Sequence, residues 1–391
     1  YGDHRDLHLS LRRQRQMCIR DRNKVVVMKI EFINQMEPWF DSEEREALNK
    51  YMDEGGWVTE FKKTFEFQDL IKEYTGAKHC FVVNNGTISL TLMAMAAGIK
   101  AGDEVLVPNY TMVATPNSLK MFGAEPKFVD VDPKTLCISL DEIKKNMTSK
   151  TKAVFLMNAN GRYPLDISEI VSFCKDKDLI LLEDSAQALG SFYKDGMHQG
   201  RKGIAGSFSF SAPKIISTGQ GGAIITDDDE LAHNISRLKD FGRSGGGNDV
   251  HEMIGFNFKF TDIQAVIGIA QMAKLNWRVQ RMKDIYLRYS KNLSEVNDVY
   301  FFDQDLDNTT PWFIDVKVEE REALMSWLKQ NKIGTRVMYP PINKQEAYNL
   351  EGEHKVSNEI GKKGLWLPSS SKLKNEQIDY ICKKIQEFYL K

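Results

Sequence analysis

From Phe81 onward the chain repeats one pattern, a short β-branched or apolar run followed by a stretch with helical spacing. FVVNN precedes a helix from Thr87, EVLVPN a helix running through Lys120, PKFVDV a helix from Leu140, and AVFLMN a helix from Asp166, with LILLEDS next. Successive strands can lie parallel only if the chain crosses back over the sheet between them, and helices are the usual crossovers. The alternation therefore predicts an α/β fold built on a largely parallel sheet. GSFSFS and GGAIITDD read as later strands of the same sheet. Ile263, Val266, Ile267, Ala270, Ala273 and Trp277 then recur at three- and four-residue steps, which predicts one long helix from Asp262 to about Ser294 leading into a smaller domain. The remainder predicts a strand at Trp312 to Val318, a helix at Glu320 to Asn331, a turn at Tyr339 to Pro341 and a closing helix from Asn375.

A chain of 391 residues usually divides into two or three structural units. The expected division is a large domain over residues 28–260, N-terminal helices included, and a small one over residues 261–391. A net charge of -1 gives no general reason for binding nucleic acid or membranes. The five cysteines are scattered singly, without a Cys-x-x-Cys pair, so no structural metal is expected and a reducing cytoplasm suits the chain. No apolar run reaches the roughly 18 residues needed to span a bilayer. Residues 1–24 are rich in Arg and lack apolar periodicity. RQMCIRDR within them reads as a translated sequencing adaptor, which makes the segment a non-native tail with Met28 as the start; the other reading is a disordered basic arm. On either reading His4, His8 and Cys18 carry no function.

Chemistry concentrates in LLEDSAQALG and, after it, GSFSFSAPKIISTGQGGAI. A carboxylate ending a buried strand, with a lysine thirty residues later in a loop bordered by Ser and Gly, is what pyridoxal-phosphate chemistry needs. Asp184 can keep the pyridine nitrogen protonated, and Lys214 can hold the cofactor as a Schiff base, then move protons once displaced. Read alone, Asp184 would equally serve as a helix N-cap and Lys214 as a solvated loop lysine. NNGTISL places Gly86 and Thr87 where a strand turns into a helix, and the free N–H groups of such a turn favour a phosphate; Thr87 is also an ordinary N-cap type. Ser209, five residues before Lys214, can donate to the same phosphate.

The ordered set NGT, PNYTMVAT, GAEPKFVDVD, EDSAQALG, GSFSFSAPK, TGQGGAI and GFNFKFTDIQAVIG resembles the DegT/DnrJ/EryC1/StrS sugar aminotransferases, over roughly Trp57 to the C-terminus. The resemblance implies the fold-type I aminotransferase fold, a mostly parallel seven-stranded sheet with a smaller C-terminal α/β domain, and pyridoxal 5'-phosphate as cofactor. It further implies that Asp184 contacts the ring nitrogen, that Gln187 lies near the ring hydroxyl, and that Gly86, Thr87 and Ser209 hold the phosphate. Asn257 would reach the phosphate of the neighbouring subunit, so that a homodimer shares its active sites. Met112 stands where many members stack an aromatic ring on the cofactor. Asn158 and Asn343 stand where His is frequent, a change that bears on sugar recognition, and Lys259 with Phe260 replaces a frequent Arg-Met pair, so that Lys259 reads equally as a substrate contact and as a solvated cation. Arg162, Lys259 and Arg336 fall in segments that the family brings near the site, and could pair with a nucleotide diphosphate. GFNFKFTDIQ, GTRVMYPPINKQ and LPSSSKLKNEQIDYIC look most similar to the perosamine-synthase-like members, which aminate C4 of a GDP-linked 4-keto-6-deoxymannose with glutamate as donor. The competing readings are a dehydratase of the same family, where His typically replaces the lysine, a general amino-acid aminotransferase with Arg336 as carboxylate clamp, and a non-catalytic regulatory protein.

Overall fold

Seven short runs form the strands of the main sheet: β1 (His79–Val83), β2 (Glu104–Pro108), β3 (Glu125–Val129), β4 (Thr151–Met157), β5 (Ile180–Asp184), β6 (Ala205–Ser209) and β7 (Gly222–Thr226), in the order β1-β7-β6-β5-β4-β2-β3. The computed structural model describes residues 31–245 and 249–390. The expectations for residues 1–24 and Met28 fall outside that range. From β3 to β6 every neighbouring pair is parallel, with helical crossovers between successive strands from β2 to β5 and a helix-free connection from β5 to β6, while β7 runs antiparallel to both β6 and β1. Two reversals leave β1 parallel to β6, so Val83, Pro108, Met157, Asp184 and Ser209 all end strands on one edge. Helices cover the sheet, which is why β7 is buried along its whole length and reads as an unbroken apolar run rather than an alternating one.

A second sheet follows, formed by β8 (Val299–Phe301), β9 (Ile314–Val318), β10 (Arg336–Val337) and β11 (Gly364–Leu367), in the order β10-β11-β9-β8 and antiparallel throughout. Ile314 and Val316 pack with Leu324 and Leu328 of the helix Arg321–Gln330, and with Ile378, Ile381 and Ile385 of the helix Asn375–Tyr389. Each of these fully buried aliphatic side chains stabilises the layer by about 1.5–3 kcal/mol over an exposed one. Residues Ile33–Lys391 pack as one compact unit.

Two expectations change. The long helix is interrupted: helices Asp262–Ala273 and Leu275–Asn292 meet at Lys274, whose N–H turns to Gln271 O, while its ammonium is drawn to Asp41 (2.7 Å), Glu43 (3.4 Å) and Glu44 (2.8 Å). The strand expected from Trp312 starts two residues later, because Trp312 and Phe313 turn away from the ladder in a bend.

Asp262 fastens the N-terminal helices Ser42–Asp53 and Lys62–Thr75 to this frame. Its buried carboxylate accepts from Tyr51 Oη (2.9 Å), Phe61 N (2.8 Å), Lys63 N (3.1 Å), Thr64 N (2.9 Å) and Thr64 Oγ1 (2.7 Å). Burial raises its pKa, but the donors from Thr64, Lys63 and Phe61 outweigh that and hold it below the ordinary carboxylate value. A depressed folded-state pKa contributes stability above the unfolded value near 3.8 that is lost as pH falls. Asp262→Ala is expected to destabilise the chain by roughly 3–5 kcal/mol. Thermal melts should show the difference from wild type shrinking below about pH 4. A Tm within a degree or two of wild type at pH 7 would remove Asp262 from this role.

Candidate active site

A cavity of about 620 Å³ opens at the edge where the parallel strands end. In open α/β sheets, ligands bind just outside such carboxyl ends. Asp184, the last residue of β5, enters this cavity almost wholly buried. It accepts from Thr115 Oγ1 at 2.6 Å and from Ala186 N at 3.2 Å, and Thr111 Oγ1 lies 2.8 Å behind Thr115. Burial pushes its pKa above the ordinary carboxylate value, more than Thr115, Ala186 and the Lys214 charge pull it down. A buried carboxylate in that condition lacks a cationic partner, and a protonated ring nitrogen is one.

Lys214 lies in the loop between β6 and β7, its N–H bound to Ser211 O at 3.0 Å. Its Nζ sits 4.2 Å from the centre of the Trp312 ring. Burial lowers its pKa to about 8, against the attraction of Asp184. A solvated loop lysine would show neither feature.

The opposite end of the cavity is made for an anion. Asn85 caps the helix Gly86–Ala96 by accepting Ile88 N at 3.0 Å, and Gly86 and Thr87, which open that helix, line the wall. Their N–H groups precede the first turn and have no intrahelical acceptor. A side chain at position 86 would place its Cβ 2.9 Å from Ser209 Cβ, so only glycine lets the helix end approach Ser209 this closely. Ser209 and Ser211 line the same wall, with hydroxyls 3.3 Å apart. Asn84 Oδ1, buried and on the same wall, has no hydrogen-bond partner among the described residues. An anion seat, an amine and an under-compensated carboxylate in one cavity fit the phosphate, the aldehyde carbon and the ring nitrogen of pyridoxal phosphate.

Other residues singled out from sequence divide into two groups. Met112, Gln187 and Arg336 line the cavity with Asp184, Lys214, Gly86, Thr87 and Ser209. Met112 is 45 % exposed, and Gln187 Oε1 accepts Asn160 N at 2.7 Å. The rest lie elsewhere. Arg162 is buried in a two-pronged pair with Asp315 (2.6 and 3.2 Å) and also binds Thr135 O, so its guanidinium is already committed. Asn158 is buried against Ser185 Oγ (2.7 Å), and Asn343 exchanges two hydrogen bonds of 2.9 Å with the Asn109 side chain. Lys259 is paired with Asp240 at 2.9 Å. These four are thus tied within the chain and do not line its cavity. Asn257 is exposed, bridged to Asp240 through the backbone, and does not line its own chain's cavity.

Thr115, Trp312 and Tyr339 line or support the site without having been singled out. Thr115 closes the PNYTMVAT motif and so left a signal in sequence; Trp312 and Tyr339 arrive from the second sheet, with nothing local to mark them.

Among the described residues, no helix is long and apolar enough to cross a membrane, and no group of His, Cys, Asp and Glu could hold a metal ion.

The profile of the DegT/DnrJ/EryC1/StrS aminotransferase family matches residues 38–386. The GDP-perosamine synthase of Escherichia coli O157:H7 is 34% identical over 370 residues, spanning 92% of this chain and 99% of that protein. The crystal structure of DesI in the presence of its TDP-sugar product superposes with a TM-score of 0.83 at 26% identity, covering 91% of this chain and 92% of that one. A dehydratase, E. coli GDP-4-keto-6-deoxy-D-mannose-3-dehydratase with bound hydrated PLP, shares the fold at 21% identity and a TM-score of 0.82, over 91% of this chain and all of that one.

If burial sets the Lys214 pKa, the rate at which pyridoxal phosphate combines with cofactor-free protein should climb with pH and level off above about 8. Stopped-flow absorbance from pH 6 to 11 reads this directly. A rate still rising above pH 10 would mean an ordinary lysine.

Proposed function

Because the chain belongs to the DegT/DnrJ/EryC1/StrS aminotransferase family and works with pyridoxal 5'-phosphate, we propose that it aminates a nucleotide-linked keto-deoxysugar. The best-supported acceptor is GDP-4-keto-6-deoxymannose, giving GDP-perosamine, with glutamate as donor. The observation that carries this choice is the 34% identity to a GDP-perosamine synthase across nearly the full length of both proteins.

The bound cofactor supplies an aldehyde carbon that joins amines and a ring that takes up the electron pair released when a C–H bond breaks. The chain's own residues do the rest. Asp184, held by Thr115, would accept a hydrogen bond from the ring nitrogen and so favour its protonated form. Lys214 would hold the cofactor through its amine and, when free, would serve as the base that moves a proton at the donor carbon. A pKa lowered to about 8 leaves part of the amine neutral near physiological pH, as a base must be. Gly86, Thr87 and Ser209 fix the phosphate and so the ring's position. Gln187 has its carbonyl occupied by Asn160 N and its amide hydrogen-bonded to Tyr339, and its remaining N–H would meet an oxygen of the ring.

The diphosphate is a large anionic handle distant from the reacting carbon, and its binding energy can orient the keto group. With Arg162 and Lys259 held by carboxylates, Arg336, exposed at the cavity wall, is the cation of the three left for that handle. Lys214 itself weighs against the dehydratase reading.

Incubation with GDP-4-keto-6-deoxymannose and glutamate should yield a product whose mass corresponds to replacement of the keto oxygen by an amine. The free keto-sugar should be a very poor acceptor, in turnover as well as in apparent affinity. Loss of a hydroxyl would establish a dehydratase, and efficient amination of simple 2-oxo acids a general aminotransferase.

Exposed Asn257, outside its own cavity, further supports a homodimer in which each chain completes its neighbour's site. Trp57, Phe61, Phe65 and Ile254 leave apolar surface that such a partner would cover. A Lys214→Ala chain mixed with an Asn257→Ala chain should recover activity, since each heterodimer keeps one intact site of two. No recovery after verified exchange would place Asn257 in its own chain's site.

A further inference from the structure

Lys214 has one neighbour to which the scheme above assigns nothing. The Trp312 indole lies face-on beneath its amine, 4.2 Å from ring centre to Nζ, well inside the range of about 6 Å over which a cation is attracted to an aromatic face. Three contacts hold that indole in one orientation. Nε1 donates to the carbonyl of Pro213, the residue before the lysine, at 2.7 Å. The Phe313 ring stacks on it at 3.9 Å and 18°, and Trp366 meets it edge-on at 5.7 Å. The Phe313 backbone is itself gripped from both sides by the Asn160 amide, at 2.7 and 2.9 Å.

We propose that Trp312 is a positioning residue, which gives the Lys214 amine a fixed resting place over its indole face whenever the amine is not joined to the cofactor. The inference rests on reading Lys214 as the group that moves the proton. A lysine stem has four carbons and about 2 kcal/mol of rotamer entropy, so an amine set free by the donor would otherwise sample positions away from the reacting carbon. Proton transfer is sensitive to such displacement, a misplacement of about 1 Å being enough for a hundredfold loss. The chemistry of the platform matters as much as its place. An indole face attracts an ammonium through its quadrupole, yet it carries no lone pair to accept the amine's hydrogens. It therefore holds the protonated form without competing for the proton that must be handed on. A carboxylate at this position would keep that proton, and an aliphatic side chain would leave the ammonium with only Asp184.

The test uses cofactor-loaded protein and follows the half-reaction with glutamate by stopped-flow absorbance, with ordinary and α-deuterated donor. Trp312→Leu should retain the cofactor and its borohydride-reducible link, and its apparent affinity for glutamate should stay within about threefold. Its rate constant should fall by about tenfold or more, with a larger deuterium isotope effect, because proton transfer becomes limiting. Trp312→Phe, which keeps a ring face and loses only the Nε1 bond, should recover most of the rate. Equal rates and isotope effects in Trp312→Leu and wild type, or no recovery in Trp312→Phe, would overturn the inference. Should Trp312→Leu fail to fold, tetrafluorotryptophan placed at position 312 by codon suppression keeps shape and packing while weakening the quadrupole. It should slow the step, and an unchanged rate would likewise overturn the inference. Lys214→Ala separates the two readings: if that variant ran the half-reaction at the normal rate, the lysine assignment itself would fail, whereas an inert Lys214→Ala beside a normal Trp312→Leu would sink the Trp312 inference alone.

Discussion

Removing an ionised carboxylate or ammonium from water costs several kcal/mol unless neighbours compensate. Within one cavity this chain does so for Asp184 and in part for Lys214. Asp184 is held by Thr115 and Ala186, and Lys214 by the Trp312 face and the attraction of Asp184, yet burial still dominates the titration of both. That imbalance is what the architecture has to tolerate, and it explains the investment around the site. The strands that end there are buried by helices, and the loop bearing Lys214 is closed by backbone bonds from Phe210 N to Gly221 O and from Thr218 N to Phe210 O. A ligand that brought a cationic ring nitrogen to Asp184 would relieve the carboxylate's share of that imbalance.

The second sheet matters because three residues of the cavity, Trp312, Arg336 and Tyr339, come from it or its approach. Its position is fixed by Asn160, in a left-handed conformation at φ 55°, whose amide binds Phe313 on both sides and Asp315 Oδ1. Arg162 adds the buried pair with Asp315. Breaking one partner of such a pair leaves an uncompensated buried charge, a penalty of about 3–5 kcal/mol. Asn160 and Arg162 thus hold the second sheet to the segment that follows β4. The Gln187 carbonyl, bound to the backbone of Asn160, ties that joint to the cavity.

Sequence alone revealed most of the main sheet, because strand length, crossover spacing and helix caps are local properties. Asp184, Gly86, Thr87, Ser209 and Lys214 were legible for the same reason: each ends a strand, opens a helix or lies in a short loop beside one. What could not be read was long-range pairing. Nothing near Arg162 signals Asp315, which lies 153 residues away, and nothing near Asn343 signals Asn109, 234 residues away. Trp312 looks from sequence like the first residue of a strand; only its hydrogen bond to Pro213 and its stacking turn it toward the lysine. The break at Lys274 was hidden likewise, since the acidic residues drawing on its ammonium belong to another helix.

The reversed direction of β7 has a consequence for how the two charged groups come together in time. Because β6 and β7 are antiparallel neighbours, joined directly and paired from Ser209 with Gly222, the lysine rides on the tip of a hairpin. Hairpins close within microseconds from contacts near in sequence, whereas β5 gains its place only after helical crossovers bring parallel partners together. The loop carrying the amine is thus specified by a register of a few residues. Side chains alternate across a sheet, so a slip of one residue in that ladder would turn Ser209 to the opposite face and carry the lysine with it. Any lengthening of this hairpin that preserves both faces must therefore come in steps of two residues per strand or be absorbed wholly within the loop.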